Sequence, residues 1–288
     1  MQIKPQYAKE DLISVARSAQ FKQDYLLNKQ FFLYFLKTRL LGKTFDKHRD
    51  LKYIEDGYND YYAKSNDDWV KERESRKDFL KYQNKRINTT GWFLYKMYNQ
   101  ALTQVLNQLS FDNLLEVGSG RGKNLLYQSL YFPEKHITGL EYSKQGVTNT
   151  KKLLQAPPKL LIDRIDSLVD RNKISINNVN VLQGNAFQLP FFDKEIDISY
   201  TILVLEQMPH EYQKALSEMV RVTKKYCIFI EPFKESNNWR GRLYLEAKDY
   251  FRFSYKKFKA FGLEPVYFSN DLPQKLKFGA GILVAKVK

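Results

Sequence analysis

The sequence holds a single cysteine, Cys227, so no disulfide can form within the chain. That cysteine lies in the apolar run Tyr226-Cys227-Ile228-Phe229-Ile230, and a buried free thiol fits a reducing compartment. No pair of cysteines exists for radical or cysteine-relay chemistry, and no metal site is expected. No run reaches the ~18 apolar residues that a membrane-spanning helix requires. The opening residues Met1-Gln2-Ile3-Lys4-Pro5-Gln6 are too polar for a signal peptide, so a cytoplasmic protein is expected. Internal repeats, low-complexity linkers and recognisable RNA-binding modules are also missing.

What is present suits one large domain, or one domain with a helical extension: 288 residues, 43% of them apolar. The net charge of +15 is spread almost evenly over residues 1–110 and the remainder, so it is not a basic tail. Such a chain could meet nucleic acid, an anionic lipid surface or phosphorylated small molecules, or could simply carry a basic surface.

The chain is organised around residues 113–124, Asn-Leu-Leu-Glu-Val-Gly-Ser-Gly-Arg-Gly-Lys-Asn. The apolar run Leu114-Leu115-Val117, broken by Glu116, reads as a buried parallel strand. Gly118, Gly120 and Gly122 then form a turn, and residues 124–130 continue as a helix. Strand, glycine turn and helix is how a doubly wound sheet begins a nucleotide site. A Cβ at Gly118 or Gly120 is expected to fill the ligand's volume. The spacing is G-x-G-x-G and not the G-x-G-x-x-G of dinucleotide enzymes. A buried Glu116 is costly unless it binds something, such as a ligand ammonium group.

Strands are expected at 137–141, 179–183, 196–201, 226–231, 265–268 and 281–285. Helices are expected at about 92–109, 144–154 and 159–170, and from Pro209 onward. A basic, aromatic helical region covers 237–261. This alternation predicts an α/β fold, a mainly parallel sheet with helices on both faces. Residues 1–90 read as an N-terminal helical extension, with Asp11 capping one helix and a second helix over 25–41. The second is too apolar to stand free, and packs on the core, on a second copy of the chain or on an anionic membrane surface. The aromatic, charged stretch 57–90 reads as a lid or helical arm.

Glu141 ends the second strand, where an acid can accept two hydrogen bonds from a ribose diol. Three further stretches follow in order: residues 184–191 (Gly-Asn-Ala-Phe-Gln-Leu-Pro-Phe), residues 197–209 with Leu205-Glu206-Gln207-Met208-Pro209, and residues 218–222 (Glu-Met-Val-Arg-Val). Together with Leu115-Glu116-Val117-Gly118-Ser119-Gly120-Arg121-Gly122 they resemble the class I S-adenosylmethionine-dependent methyltransferases. The nearest likeness is to the type 11 group, which includes the ubiquinone/menaquinone methyltransferase-like enzymes. The likeness covers about residues 90–232.

The resemblance implies a Rossmann-like seven-stranded sheet in a domain over 91–288, with S-adenosyl-L-methionine as cofactor. It implies that Glu116, Gly118, Ser119, Gly120 and Gly122 wrap the methionine part. Glu141 would hold the ribose, and Tyr142, Ala186 and Phe187 would line the adenine. Asn185 stands where the family usually has Asp for the adenine amino group. Thr201 and Leu203 lie where backbone carbonyls meet the methionine ammonium. Gln207 replaces the histidine that many relatives carry after Leu-Glu, and belongs to the acceptor side.

An oxygen acceptor benefits from a base, and His210, Glu206 and Glu231 are the candidates. Relatives that methylate amino groups of adenine or glutamine carry Asn/Asp-Pro-Pro-Tyr after the fourth strand, whereas this chain reads Ser199-Tyr200-Thr201-Ile202. Trp239, Arg240 and Arg242 are expected to cap an acceptor with an anionic and a flat or sugar face. The expected reaction is O-methylation of a small molecule or glycan. The alternatives are methylation of RNA or another macromolecule, with nucleic acid the less favoured partner, and a catalytically silent cofactor-binding subunit.

Overall fold

The structure, a computed structural model, describes residues 1, 3, 12, 26–27, 29–42, 51–83, 85–165, 176 and 178–288. Its centre is a seven-stranded sheet. In chain order its strands are β3 (Asn113–Val117), β4 (His136–Glu141), β5 (Val179–Gln183), β6 (Ile196–Ile202), β7 (Thr223–Glu231), β8 (Leu263–Ser269) and β10 (Gly281–Val287). Across the sheet they run β5-β4-β3-β6-β7-β10-β8. The first five are parallel, and β10 pairs antiparallel with both β7 and β8. The order turns back on either side of β3, which opens a crevice at the carboxyl ends of β3 and β6.

Both faces of the sheet are buried, and side-chain alternation divides them. On β3, Leu114 joins one core while Leu115 and Val117 join the other. On β10, Ile282 and Val284 go with the first, and Leu283, Ala285 and Val287 with the second. The first core is closed by α4 (Phe93–Leu106), whose Phe93, Met97, Ala101 and Leu102 are fully buried. The second is closed by α8 (Tyr212–Val222) through Ala215, Leu216 and Met219. Apolar residues at helical spacing supply each stripe. Around the sheet lie α5 (Lys123–Tyr131), α6 (Lys144–Gln155), α7 (Lys159–Ile165) and α9 (Trp239–Ala247). Ser143 caps α6 by accepting from Gly146 N, and Asn238 caps α9 by accepting from Gly241 N.

The region before residue 91 differs from the expected helical arm. Two helices, α2 (Leu51–Tyr62) and α3 (Asn66–Ser75), are followed by an antiparallel hairpin, β1 (Lys77–Tyr82) and β2 (Lys85–Thr90). A short strand near the other end of the chain, β9 (Gln274–Lys275), pairs with β1. In β1, Leu80 and Tyr82 are buried at period-two spacing; the charged residues Lys77, Asp78, Lys81, Lys85 and Arg86 of the hairpin obscure that alternation in the sequence. Leu12 bridges Thr89 in this sheet, and the rest of the helix expected after Asp11 lies outside the described residues.

Other boundaries also shift. The α8 helix begins at Tyr212, after a turn at Pro209, and α4 ends at Leu106. The helix expected to reach residue 170 is described only to Ile165. The region 237–261 is broken at Asp249, whose φ is 52°, and resumes as a 3-10 helix at Tyr255–Phe261. Residues 29–35 form a helix, α1, that continues as a π-helical turn, Leu36–Leu40. Tyr34 is buried there against Tyr244 of α9, with ring centroids 5.3 Å apart, and Arg39 pairs with Glu246. Phe32, Phe35, Leu40 and Leu41 stay exposed. No helix among the described residues is long and apolar enough to cross a membrane.

Candidate active site

A cavity of about 510 Å³ fills the crevice, within the roughly 300–1,000 Å³ typical of small-molecule sites. Its floor is the glycine turn after β3. Gly118 and Ser119 donate their N–H groups to Leu140 O at 2.8 and 2.9 Å, which ties the turn to β4. The three glycines answer to three different neighbours. A Cβ on Gly118, at φ +78°, would meet both Cγ atoms of Val204 at 2.7 Å. One on Gly120 would come within 3.1 Å of Tyr62 Oη, and one on Gly122 within 2.3 Å of Thr150 Cγ2. Gly118 therefore makes room for the loop after β6 as well as for a ligand, and Gly122 lets α5 pack on α6. Gly122 itself does not line the cavity.

Glu141 lines the wall at the end of β4. Its Oε2 accepts from Gly120 N at 2.9 Å and its Oε1 from Ser143 N at 3.0 Å. Burial raises its carboxyl above the ordinary value, and the Ser143 and Gly120 N–H groups oppose that shift. Each oxygen keeps a lone pair, as a diol would need. Tyr142, Asn185, Ala186, Phe187 and Leu203 also line the cavity, as expected of cofactor contacts. Asn185 Oδ1 accepts from Phe187 N at 2.9 Å, which fixes the turn that presents them. Leu203 has φ +56°, a left-handed conformation that costs a branched residue energy and marks a functional loop.

Glu116 and Thr201 do not line the cavity. Glu116 Oε1 accepts from Asn124 Nδ2 at 2.7 Å, and Asn124 does line it. Asn124 Oδ1 in turn accepts from Asn99, and Gln128 joins Asn99 to Thr103. This buried amide chain locks α4, α5 and β3 together. Burial raises the Glu116 carboxyl, and the Tyr200 hydroxyl lies against it. Any contact from Glu116 to a ligand therefore passes through Asn124.

Two of the three candidate bases do not line the cavity. His210 is 42% exposed in its side chain, lies off the cavity, and pairs with Asp249 Oδ2 at 2.8 Å. It sits in the turn before α8. Glu231 is fully buried behind the β6 loop. Its Oε1 accepts from Thr201 Oγ1, Val204 N and Leu205 N at 2.8, 2.9 and 3.1 Å, so it anchors that loop. Burial pushes its carboxyl up to about 8. Glu206 alone of the three lines the cavity, next to Gln207, whose Nε2 donates to its Oε1 at 2.9 Å.

The residues expected to cap the acceptor lie outside this cavity. Trp239 is 59% exposed, Arg240 lies over its ring, and Arg242 lines a shallow groove with Phe35 and Arg39. None of the three lines the cavity. Its roof comes instead from Tyr58, Tyr61 and Tyr62 of α2, Trp69 and Arg73 of α3, Tyr95 of α4 and Lys275 of β9. Arg121, at the glycine turn, holds α2 down by donating to Tyr61 O, Lys64 O and Asn66 Oδ1. Burial pushes the Tyr61 phenol up, but Arg73 and Lys123 outweigh it and hold the phenol below its ordinary range. The clustering of tyrosines at 58, 61 and 62 was the one sequence signal of this roof. Among the described residues no group of three or more His, Cys, Asp or Glu is placed to hold a metal ion.

The fold and the crevice are similar to those of class I S-adenosylmethionine-dependent methyltransferase domains. The family described as "Methyltransferase domain" matches residues 115–230, and places that stretch in the type 11 group. S-adenosylmethionine is the cofactor of this class. The residues fit it. The turn has glycines where side chains would intrude, Glu141 is placed for a diol, and the buried Ser119 Oγ has no hydrogen-bond partner among the described residues. An uncharacterized methyltransferase of Schizosaccharomyces pombe is 31% identical over 113 residues, covering 39% of this chain and 36% of that protein. The demethylmenaquinone methyltransferase of Listeria monocytogenes is 26% identical over 144 residues, covering 48% of this chain and 52% of that enzyme. The match thus spans about half or less of these relatives' lengths. Among solved structures, a SAM-dependent methyltransferase from Methanosarcina mazei shares the fold with a TM-score of 0.51 at 19% identity, over 64% of this chain and 96% of that one.

Proposed function

We propose that the protein transfers a methyl group from S-adenosylmethionine to an oxygen of a small-molecule or glycan acceptor. The observation that carries this reading is the crevice where the glycine turn, Glu141 and the β6 loop meet an aromatic roof. S-adenosylmethionine, when bound, supplies a methyl group on a sulfonium that is a good leaving group. Gly118, Ser119, Gly120 and Leu203 would hold its methionine end, and Glu141, Tyr142, Asn185, Ala186 and Phe187 its nucleoside. The α2–α3 roof excludes water and holds an acceptor in line, which is most of what such a displacement asks of a protein. Glu206 is placed to take the acceptor's proton: it lines the cavity, and the other lining acid, Glu141, is occupied by backbone N–H groups. A roof clamped by Arg121 favours a small acceptor over a polymer strand.

Calorimetry with S-adenosylhomocysteine, followed by a screen of fractionated cell extract with cofactor labelled in its methyl group, tests the reading. Label entering a small-molecule or glycan fraction supports it, and label entering RNA alone overturns the acceptor class. On the acceptor so found, Glu206→Gln should lower kcat by roughly 10²–10⁴-fold with cofactor affinity kept. An unchanged kcat would remove Glu206 from the chemistry.

A further inference from the structure

Three cations in the cavity wall come from distant parts of the chain: Arg73 from α3, Lys123 from the first turn of α5, and Lys275 from β9. Two of them lie against Tyr95, and the third lines the same cavity. Lys123 Nζ lies 4.3 Å from the centre of its ring and Arg73 Cζ 4.8 Å. The charge of Lys275 acts on the same phenol, while its Nζ lies 4.9 Å from the Phe278 ring. The wall contacts that the structure gives these three are with aromatic groups; none of them forms an ion pair among the described residues. Burial lowers the Lys123 ammonium, Glu116 opposes that shift, and the like charges of Arg73 and Arg121 add to it. Gathering like charges in a half-buried wall is costly unless an anion joins them.

The cofactor does not supply enough negative charge. S-adenosylmethionine carries a sulfonium and an ammonium against one carboxylate, so its arrival makes the crevice more positive. Its carboxylate can answer one of the three cations. Neither lining acid forms an ion pair with any of the three among the described residues: Glu141 accepts from Gly120 and Ser143, and Glu206 from Gln207. Arg121 is already engaged with α2. A phosphate monoester, with a charge of about −1.5 to −2 and three acceptor oxygens, matches what remains.

We propose that Arg73, Lys123 and Lys275 form an anion subsite at the Tyr95 end of the cavity, which selects an acceptor bearing a phosphate group. The proposal rests on the methyltransferase reading above and names the acceptor class for that site. It also moves recognition of the anion from Arg240 and Arg242, outside the cavity, to residues in its wall.

The test uses the full chain saturated with S-adenosylhomocysteine and titrated calorimetrically with inorganic phosphate, with malonate in a parallel arm. Phosphate should bind saturably at millimolar concentration and more tightly than malonate. Lys275→Glu and Arg73→Gln should each weaken it about tenfold or more, Lys275→Arg should restore it, and affinity for S-adenosylhomocysteine should hold in all three. Both substituted side chains are half-exposed, and a thermal melt checks that each variant folds. Absence of saturable phosphate binding overturns the proposal, as does tighter binding of malonate. The proposal also fails if phosphate binds the chain loaded with 5′-methylthioadenosine but not the chain loaded with S-adenosylhomocysteine, since the cluster then serves the cofactor's own carboxylate. If S-adenosylhomocysteine does not bind the wild-type chain, the methyltransferase reading fails. Phosphate titration of the unloaded chain still reports on the subsite in that case.

Discussion

The two ends of the cavity are built on different plans. The end proposed for the cofactor is made by short stretches, each at the carboxyl end of a parallel strand, which the sheet itself brings together: Glu141 accepts from Ser143 in its own turn and from Gly120 in the neighbouring one. The roofed end takes Tyr61, Arg73, Tyr95 and Lys275 from four elements that no local pattern links. A site of the first kind can be read from spacing. One of the second kind exists only after tertiary folding.

The largest effect should come from the floor. Gly118→Val forces a branched residue to φ +78° and drives its Cβ into Val204, so it should abolish S-adenosylhomocysteine binding in calorimetry while leaving the core strands folded. Measurable binding would mean that the β6 loop can move aside and that the two ends are less rigidly joined than they look. Glu141→Ala should cost ~2–3 kcal/mol of the same affinity, since it removes charge-assisted bonds and also releases Gly120 N. Wild-type affinity in this variant would place the ribose elsewhere.

Glu231 probes the loop between the two ends. Its folded carboxyl is raised from 4.5 to about 8, so between those values the native state holds a proton that the unfolded chain has lost. Its contribution to stability is therefore full below about pH 4.5 and declines as pH rises towards 8. The loss is about 1.4 kcal/mol per pH unit at most. Glu231→Gln should flatten this slope in denaturant titrations between pH 5 and 8. Parallel curves for variant and wild type would show that Glu231 is ionised in the fold. The smallest effect is expected outside the cavity. Arg240→Ala with Arg242→Ala should leave cofactor affinity and acceptor KM unchanged, and a raised KM would return acceptor recognition to α9.

The same contrast explains what the sequence disclosed. The strands of the sheet, their parallel arrangement and the glycine turn were legible, because buried strands leave apolar runs and the turn needs glycine. The β1–β2 hairpin was not, since four of its twelve residues are lysine or arginine and its Leu80 and Lys81 are paired by β9, far along the chain. His210 seemed well placed because it follows the β6 loop, but a turn at Pro209 directs it to Asp249. Arg240 and Arg242 followed the same logic of position after a strand, and α9 carries them to the outer surface. Glu206 and Glu231 are both acids beside the crevice in the sequence. Only the fold separates the one that lines it from the one that anchors the loop behind it.

The pairing of β1 with β9 also sets an order of events during synthesis. Leu80 must wait for Lys275, near the end of the chain, before its strand is joined on both sides. Closing so long a loop is entropically unfavourable until the intervening sheet has condensed and brought the two segments close. A nascent chain could therefore complete the glycine turn and its parallel strands while the segment bearing Lys275 is still unmade. The proposed anion subsite would then form only after the crevice beneath it.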